Sequence, residues 1–285
     1  MSQPTARGVL AMFVAVAAFS LMDALLKVFS AHYPALQVSA IRALASLPFV
    51  LAPLAWRGRL AELRPTRPAL HLLRGLLGVV MLGTFVFALR EQTIADVYAI
   101  YMAAPLLIVL LAALLLQERV DPGRWIAILV GLAGVMVILR PSAGGLELVA
   151  GLAAVVSALS YAFAAITARL LTRTDTSASM VFSFLLIVAV VCGVLAAPGW
   201  LPIAPGHWGW IAGVGLLGTI GQHYITEAFR WAPASTIAPI EYTALLWGMG
   251  LDWVFWSSTP SARMLAGAAL VIAAGLYVAW RERSP

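Results

Sequence analysis

Residues 8–31 read GVLAMFVAVAAFSLMDALLKVFSA, an apolar run interrupted by charge only at Asp23 and Lys27. A helix rises about 1.5 Å per residue, so roughly twenty such residues cross a hydrocarbon core of about 30 Å. The same pattern returns along the chain. Ten spans are expected, over 8–31, 36–56, 69–89, 94–116, 123–140, 146–171, 178–197, 208–230, 235–257 and 262–281. The predicted fold is therefore an all-α integral membrane protein whose solvent is lipid.

Composition agrees. Of 285 residues, 62% are hydrophobic and 11% charged, and the mean hydropathy is +0.96. A soluble domain carries about 25% charged residues. Ten crossings leave only short loops, which excludes a soluble catalytic or nucleic-acid-binding domain. The net charge of +6 is not gathered into a patch but sits at span ends, so no nucleic-acid partner is expected. Cys192 is the lone cysteine, so no internal disulfide can form. The first apolar run is too long for the core of a cleavable signal peptide, and it contains Asp23; it is expected to stay as a helix.

Ten spans place both ends on one side of the membrane. Thirteen Lys and Arg residues fall on that side and four (Lys27, Arg90, Arg140, Arg263) on the other, with Arg42 inside a span. The positive-inside bias predicts a multi-pass protein of the inner (plasma) membrane with both termini cytoplasmic. Most Trp residues lie near span ends, as an interfacial belt should; Trp247 falls mid-span.

Gly75-Leu76-Leu77-Gly78 recurs as Gly215-Leu216-Leu217-Gly218, and Ala88-Leu89-Arg90 as Ala228-Phe229-Arg230, both at an offset of 140 residues. The matches fall in the third and eighth spans, which divides the chain into five-helix repeats at 1–141 and 142–285. Five is odd, so the second repeat must enter from the opposite face. Inverted repeats enclose a mid-membrane site exposed alternately to either side. Pro105 and Pro239 interrupt the fourth and ninth spans. Each frees a carbonyl, which either marks a ligand site or is simply tolerated within the bundle.

Ala95 to Val135 reads ADVYAIYMAAPLLIVLLAALLLQERVDPGRWIAILVGLAGV. This stretch resembles the fourth and fifth helices of EamA-type transporters in the drug/metabolite transporter superfamily. The matching elements are the small residue opening the helix, Pro105, Glu118, Gly131 and Gly134; Arg42 matches the arginine usual in the second helix. Trp256-Ser257-Ser258 departs from the pattern where a glutamate would close the ninth helix. The resemblance implies ten helices and movement of small metabolites, often amino acids, with aromatic amino-acid exporters of the YddG type as one branch. The expected function is a secondary transporter, not an enzyme, that carries amino acids outward by alternating access. Its rivals are a channel and a membrane enzyme acting on lipids. Expected partners are a small-molecule substrate and membrane lipids; no cofactor is expected, and the oligomeric state is open.

Ionisable groups in a bilayer cost about 2.5–3.5 kcal/mol each, so every one needs a reason. Asp23 and Lys27 share a helix face, where Asp23 either pairs with Lys27 or receives a cargo ammonium. Arg42 either grips a cargo carboxylate or pairs with Asp23 or Asp96, and Asp96 suits a helix cap. Tyr98, Tyr101 and Pro105 share one face, directed at a cavity or, for Tyr98, at the interface. Glu241 is a proton or cargo site or half of a buried pair. His223 is a ligand or a satisfied core residue. Tyr161 and Trp247 offer aromatic walls, or simple packing. The candidate substrate-binding set is thus Asp23, Arg42, Tyr98, Tyr101, Tyr161, His223, Glu241 and Trp247. The sequence contains no zinc helix, nucleophile elbow or Walker loop.

Overall fold

The computed structural model describes residues 3–115, 117, 121–139, 145–231 and 240–281. Among the described residues all regular structure is helical: α1 (Gln3–Ser30), α2 (Ala35–Trp56), α3 (Pro68–Glu91), α4 (Ile94–Tyr101), α5 (Ala104–Leu115), α6 (Pro122–Leu139), α7 (Gly145–Leu171), α8 (Ser177–Ala196), α9 (Trp208–Trp231), α10 (Thr243–Trp256) and α11 (Ala262–Arg281). Eight segments, counting Ile94–Leu115 as one, are long and apolar enough to cross a membrane. The predicted eighth and ninth spans are helical but fall outside that set. The C-terminal part of α9 carries Gln222, His223 and Glu227, and α10 has only 14 residues. Pro239 and Glu118 lie outside the described residues.

Local chemistry sets the ends. Pro68 opens α3, where its missing N–H costs nothing. Thr93 caps α4 by accepting the N–H of Asp96 at 3.0 Å. The fourth span is broken at Met102–Ala103, one turn ahead of Pro105, into α4 and α5. Helix α10 stops at Ser257, whose φ of 51° is left-handed. The N–H of Ser258 then reaches back to the carbonyl of Asp252 at 3.1 Å.

Helix pairing follows a regular scheme. α1 packs on α9 and α3 on α7, α2 on α9 and α3 on α8, while α2 meets α8, α4 meets α10 and α6 meets α11. Small residues allow the close approaches. A Cβ on Gly134 would lie 2.7 Å from the carbonyl oxygen of Gly267 between α6 and α11. The repeated glycines take matching places: Gly75 faces Ile187 of α8, and Gly215 faces the backbone of Ala45 in α2.

Two sets of contacts tie the bundle together at the ends of α2, a helix of 22 residues and so about 33 Å long. Beside its start, the hydroxyl of Tyr33 accepts the N–H of Ala204 at 3.0 Å and lies 2.8 Å from Nδ1 of His207. Gln37 there exchanges two hydrogen bonds with the backbone of Leu201. Beyond its far end, Thr176 donates to the carbonyl of Glu62 at 2.8 Å and Ser179 to that of Leu63 at 3.3 Å. Asp175 accepts the N–H of Thr66 at 2.6 Å and meets Nε2 of His71 at 3.0 Å.

Candidate functional site

A cavity of about 770 Å³ opens between α1, α2, α3, α7, α8 and α9. Its polar wall is Arg42 and Ser46 from α2, Arg74 from α3, Tyr161 from α7, and Thr219, Gln222 and His223 from α9. Its apolar wall includes Phe19 and Met22 of α1, Met81 of α3 and Phe184 of α8. The helices bring these residues together from distant parts of the chain, as the 3.6-residue period turns one stripe of each helix inward. The volume lies in the usual range for small-molecule sites, about 300–1,000 Å³.

Three of the eight candidates line this cavity: Arg42, Tyr161 and His223. Among the described residues Arg42 makes no hydrogen bond and no ion-pair contact; the carboxylate of Asp23 is its electrostatic partner at longer range. His223 meets Tyr224 edge-on, with ring centroids 5.4 Å apart.

Three more, Tyr101, Tyr98 and Asp23, stand behind the wall. Tyr101 packs against Tyr161 and Phe85, each with ring centroids 5.5 Å away, and its hydroxyl points to Sδ of Met81 at 3.8 Å. Tyr98 donates to Oδ2 of Asp23 at 2.8 Å. The other Asp23 oxygen is buried without a partner. Glu241 interacts electrostatically with Tyr161 and Tyr242 but is not part of the cavity lining.

Trp247 is placed elsewhere. It packs on Phe13 of α1 at 5.8 Å, beside a cluster of Ala11, Met12, Ala15 and Ala228. Nearby on α9, Glu227 accepts a hydrogen bond from Trp231 at 2.8 Å.

The expected Asp23–Lys27 pair does not form. Lys27 instead donates to the carbonyl of Gln92 and lies 3.9 Å from Asp252. Asp252 accepts the N–H groups of Ile94 and Ala95 at 3.0 and 2.8 Å. It thus takes the capping role on α4 that the sequence suggested for Asp96, whose carboxylate accepts from Thr93 at 2.6 Å. Lys27, Arg90, Asp96, Glu147, Asp252 and Arg263 border a second hollow of about 450 Å³. Along α1, Met22 lines the first hollow and Lys27 the second, with Asp23 between them.

Sequence reasoning missed Arg74, read as part of the charge bias at a span end. Its Nη1 donates to the carbonyl of Met180 at 2.8 Å, its guanidinium lies 5.0 Å from the Phe184 ring centroid, and its Nε has no partner. The available signal was its position on α3 one residue before Gly75, a glycine that lets α8 approach closely.

A helical bundle with membrane-length apolar helices around a solute-sized, partly polar cavity defines a polytopic membrane protein built to bind a solute. The profile of the EamA-like transporter family matches residues 6–140 and again 148–280, and the chain belongs to that family. It is 28% identical over 268 residues to "Pseudopaline exporter CntI" of Pseudomonas aeruginosa (strain UCBPP-PA14), covering 94% of each chain. It is 28% identical over 276 residues to a riboflavin transporter of Vibrio cholerae, covering 95% of this chain and 92% of that one. It is 26% identical over 237 residues to an S-adenosylmethionine uptake transporter of Rickettsia felis, covering 83% and 79%. A solved crystal structure superposes with a TM-score of 0.64 at 23% identity over 97% of this chain and 99% of that one, which shows the shared fold. These relatives are transporters and do not single out the aromatic amino-acid branch.

Proposed function

We propose that this chain is a secondary carrier that exports a small metabolite across the cytoplasmic membrane by alternating access. Ten helices form two inverted halves, 1–141 and 142–285, with both termini in the cytoplasm. The observation that carries this reading is the 770 Å³ cavity, walled by α1, α2 and α3 from the first half and α7, α8 and α9 from the second. A site shared between halves changes its exposure when one half rocks against the other.

Other features support the inverted arrangement. The family profile matches twice, and the main pairings between halves exchange with one another: α1 on α9 with α7 on α3, and α2 on α9 with α8 on α3. Asp175 and Ser179 follow Tyr33 and Gln37 by 142 residues, and each pair anchors a second helix of its half to the loop after the second helix of the other. The contact between Asp23 and Tyr98 would act as the barrier between the two hollows. Carboxylate-bearing metabolites with an apolar or aromatic part, amino acids among them, are the first cargo class to test, with Arg42 meeting the carboxylate and Tyr161 the apolar part.

The test is counterflow in proteoliposomes with a panel of labelled amino acids, polyamines, nucleotides and carboxylates. Saturable counterflow of any one of them is expected. Currents far above carrier rates would establish a channel instead, and flat uptake across all amino acids and carboxylates would remove that cargo class.

A further inference from the structure

We propose that the cargo is an organic anion, its carboxylate or phosphate groups taken by Arg42 and Arg74 and its apolar part laid against Phe19, Met22, Met81 and Phe184. This rests on the carrier reading and names the chemistry its site selects.

The argument is a census of charge and hydrogen-bonding capacity. Among the residues lining the cavity there are two arginines and a histidine, and no aspartate or glutamate. An arginine inside a membrane protein needs a counter-charge or a set of acceptors. Arg42 has neither in contact: Asp23 lies beyond ion-pair reach, and one of its oxygens is already committed to Tyr98. Arg74 spends one donor on Met180, rests against Phe184, and leaves Nε without a partner.

Each guanidinium carries five N–H donors, whereas the neighbouring hydroxyls of Ser46 and Thr219 already donate to Arg42 and Gly215 carbonyls. The wall therefore holds a surplus of donors and positive charge. What satisfies it is a ligand rich in acceptors and negative in charge, and guanidinium binds carboxylate or phosphate through paired hydrogen bonds. A zwitterionic amino acid suits it less well, because no lining carboxylate awaits the ammonium. The aromatic and thioether side chains of Phe19, Met22, Met81 and Phe184 in the same lining accept an apolar body. Outward movement of an anion is also assisted by a cytoplasm-negative potential, by about fifty-fold per charge at 100 mV.

The test uses the purified full chain in detergent, with thermal stabilisation measured against four probes: phenylpyruvate, succinate, phenylalanine and phenethylamine. Stabilisation by the two anions is expected to exceed that by phenylalanine, with none from the amine. Arg42→Gln and Arg74→Gln should each weaken the anion response at least ten-fold, and Arg42→Lys should restore part of it. Equal stabilisation by the amine or by phenylalanine, an undiminished anion response in both arginine variants, or no response to either anion would overturn the proposal. If an arginine variant fails to fold, Thr219→Asp adds a negative charge to the same wall and should abolish the anion response; an unchanged response in it would equally overturn the proposal. Counterflow of a neutral or cationic cargo, indifferent to these anions, would leave the carrier reading standing and remove this one.

Discussion

Asp175 lies in the loop between α7 and α8, with its carboxylate shielded from solvent against His71. Burial opposes its charge, but hydrogen bonds from Thr174, the Thr66 N–H and His71 outweigh that and hold the carboxyl well below the usual carboxylate range. A depressed carboxylate contributes stability that is present above its ordinary value and lost as pH falls toward the folded one. Asp175→Asn should therefore lower the melting temperature by about 2–5 °C at pH 7. The gap between variant and parent should narrow as pH falls below about 4, where the unfolded chain takes up a proton at Asp175 that the folded state still refuses; melting curves across pH check both. At this scale the sequence marked Arg42, Tyr161 and His223 because polar groups inside apolar runs demand a reason. It did not mark His71 and Asp175, 104 residues apart, because His71 falls in the first turn of its span, near the interface, and Asp175 lies between spans, where polar groups are ordinary.

Elements were the most legible scale, since hydrophobic periodicity over twenty residues averages away local ambiguity. What the pattern could not supply was how helices end and touch. Helix α10 ends at Ser257 in a left-handed conformation, which costs a residue with a Cβ about 1 kcal/mol. Ser257→Gly should relieve that cost and raise the melting temperature by about 2 °C. The α6–α11 contact is stricter. A methyl on Gly134 would meet the Gly267 carbonyl, a backbone atom that cannot rotate away, at 2.7 Å. Gly134→Ala is expected to cost about 1–3 kcal/mol, and Gly134→Leu to prevent stable folding, read as loss of a monodisperse peak after extraction. The break before Pro105 was foreseeable as a bend. The separation into α4 and α5 depends on the chain at Met102–Ala103, which no pattern singled out.

For the whole molecule the proposed inverted arrangement makes a topological prediction. Ala61 follows α2 and Pro202 follows α8, the second helices of the two halves. In a Cys192→Ala background, Ala61→Cys should react with a membrane-impermeant thiol reagent only from the cytoplasmic side, and Pro202→Cys only from the other. Reaction of both from one side would show the halves running parallel. Trp247, read from its residue type as either an aromatic wall or simple packing, sits against Phe13 rather than in the cavity. A helix presents one stripe to the cavity and others to its neighbours, and residue type does not say which.

By itself the sequence determined that the chain is a membrane-embedded helical bundle of transporter type, and where its helices run. Those properties follow from local length, apolarity and internal repetition, each carried by residues close together in the chain. The tertiary structure alone decided which polar groups meet: Asp23 with Tyr98, Lys27 with Asp252, and Arg74 and Arg42 in the lining of one cavity. Those pairings depend on how each helix is rotated about its axis, and small residues such as Gly134 and Gly215 on neighbouring helices set that rotation.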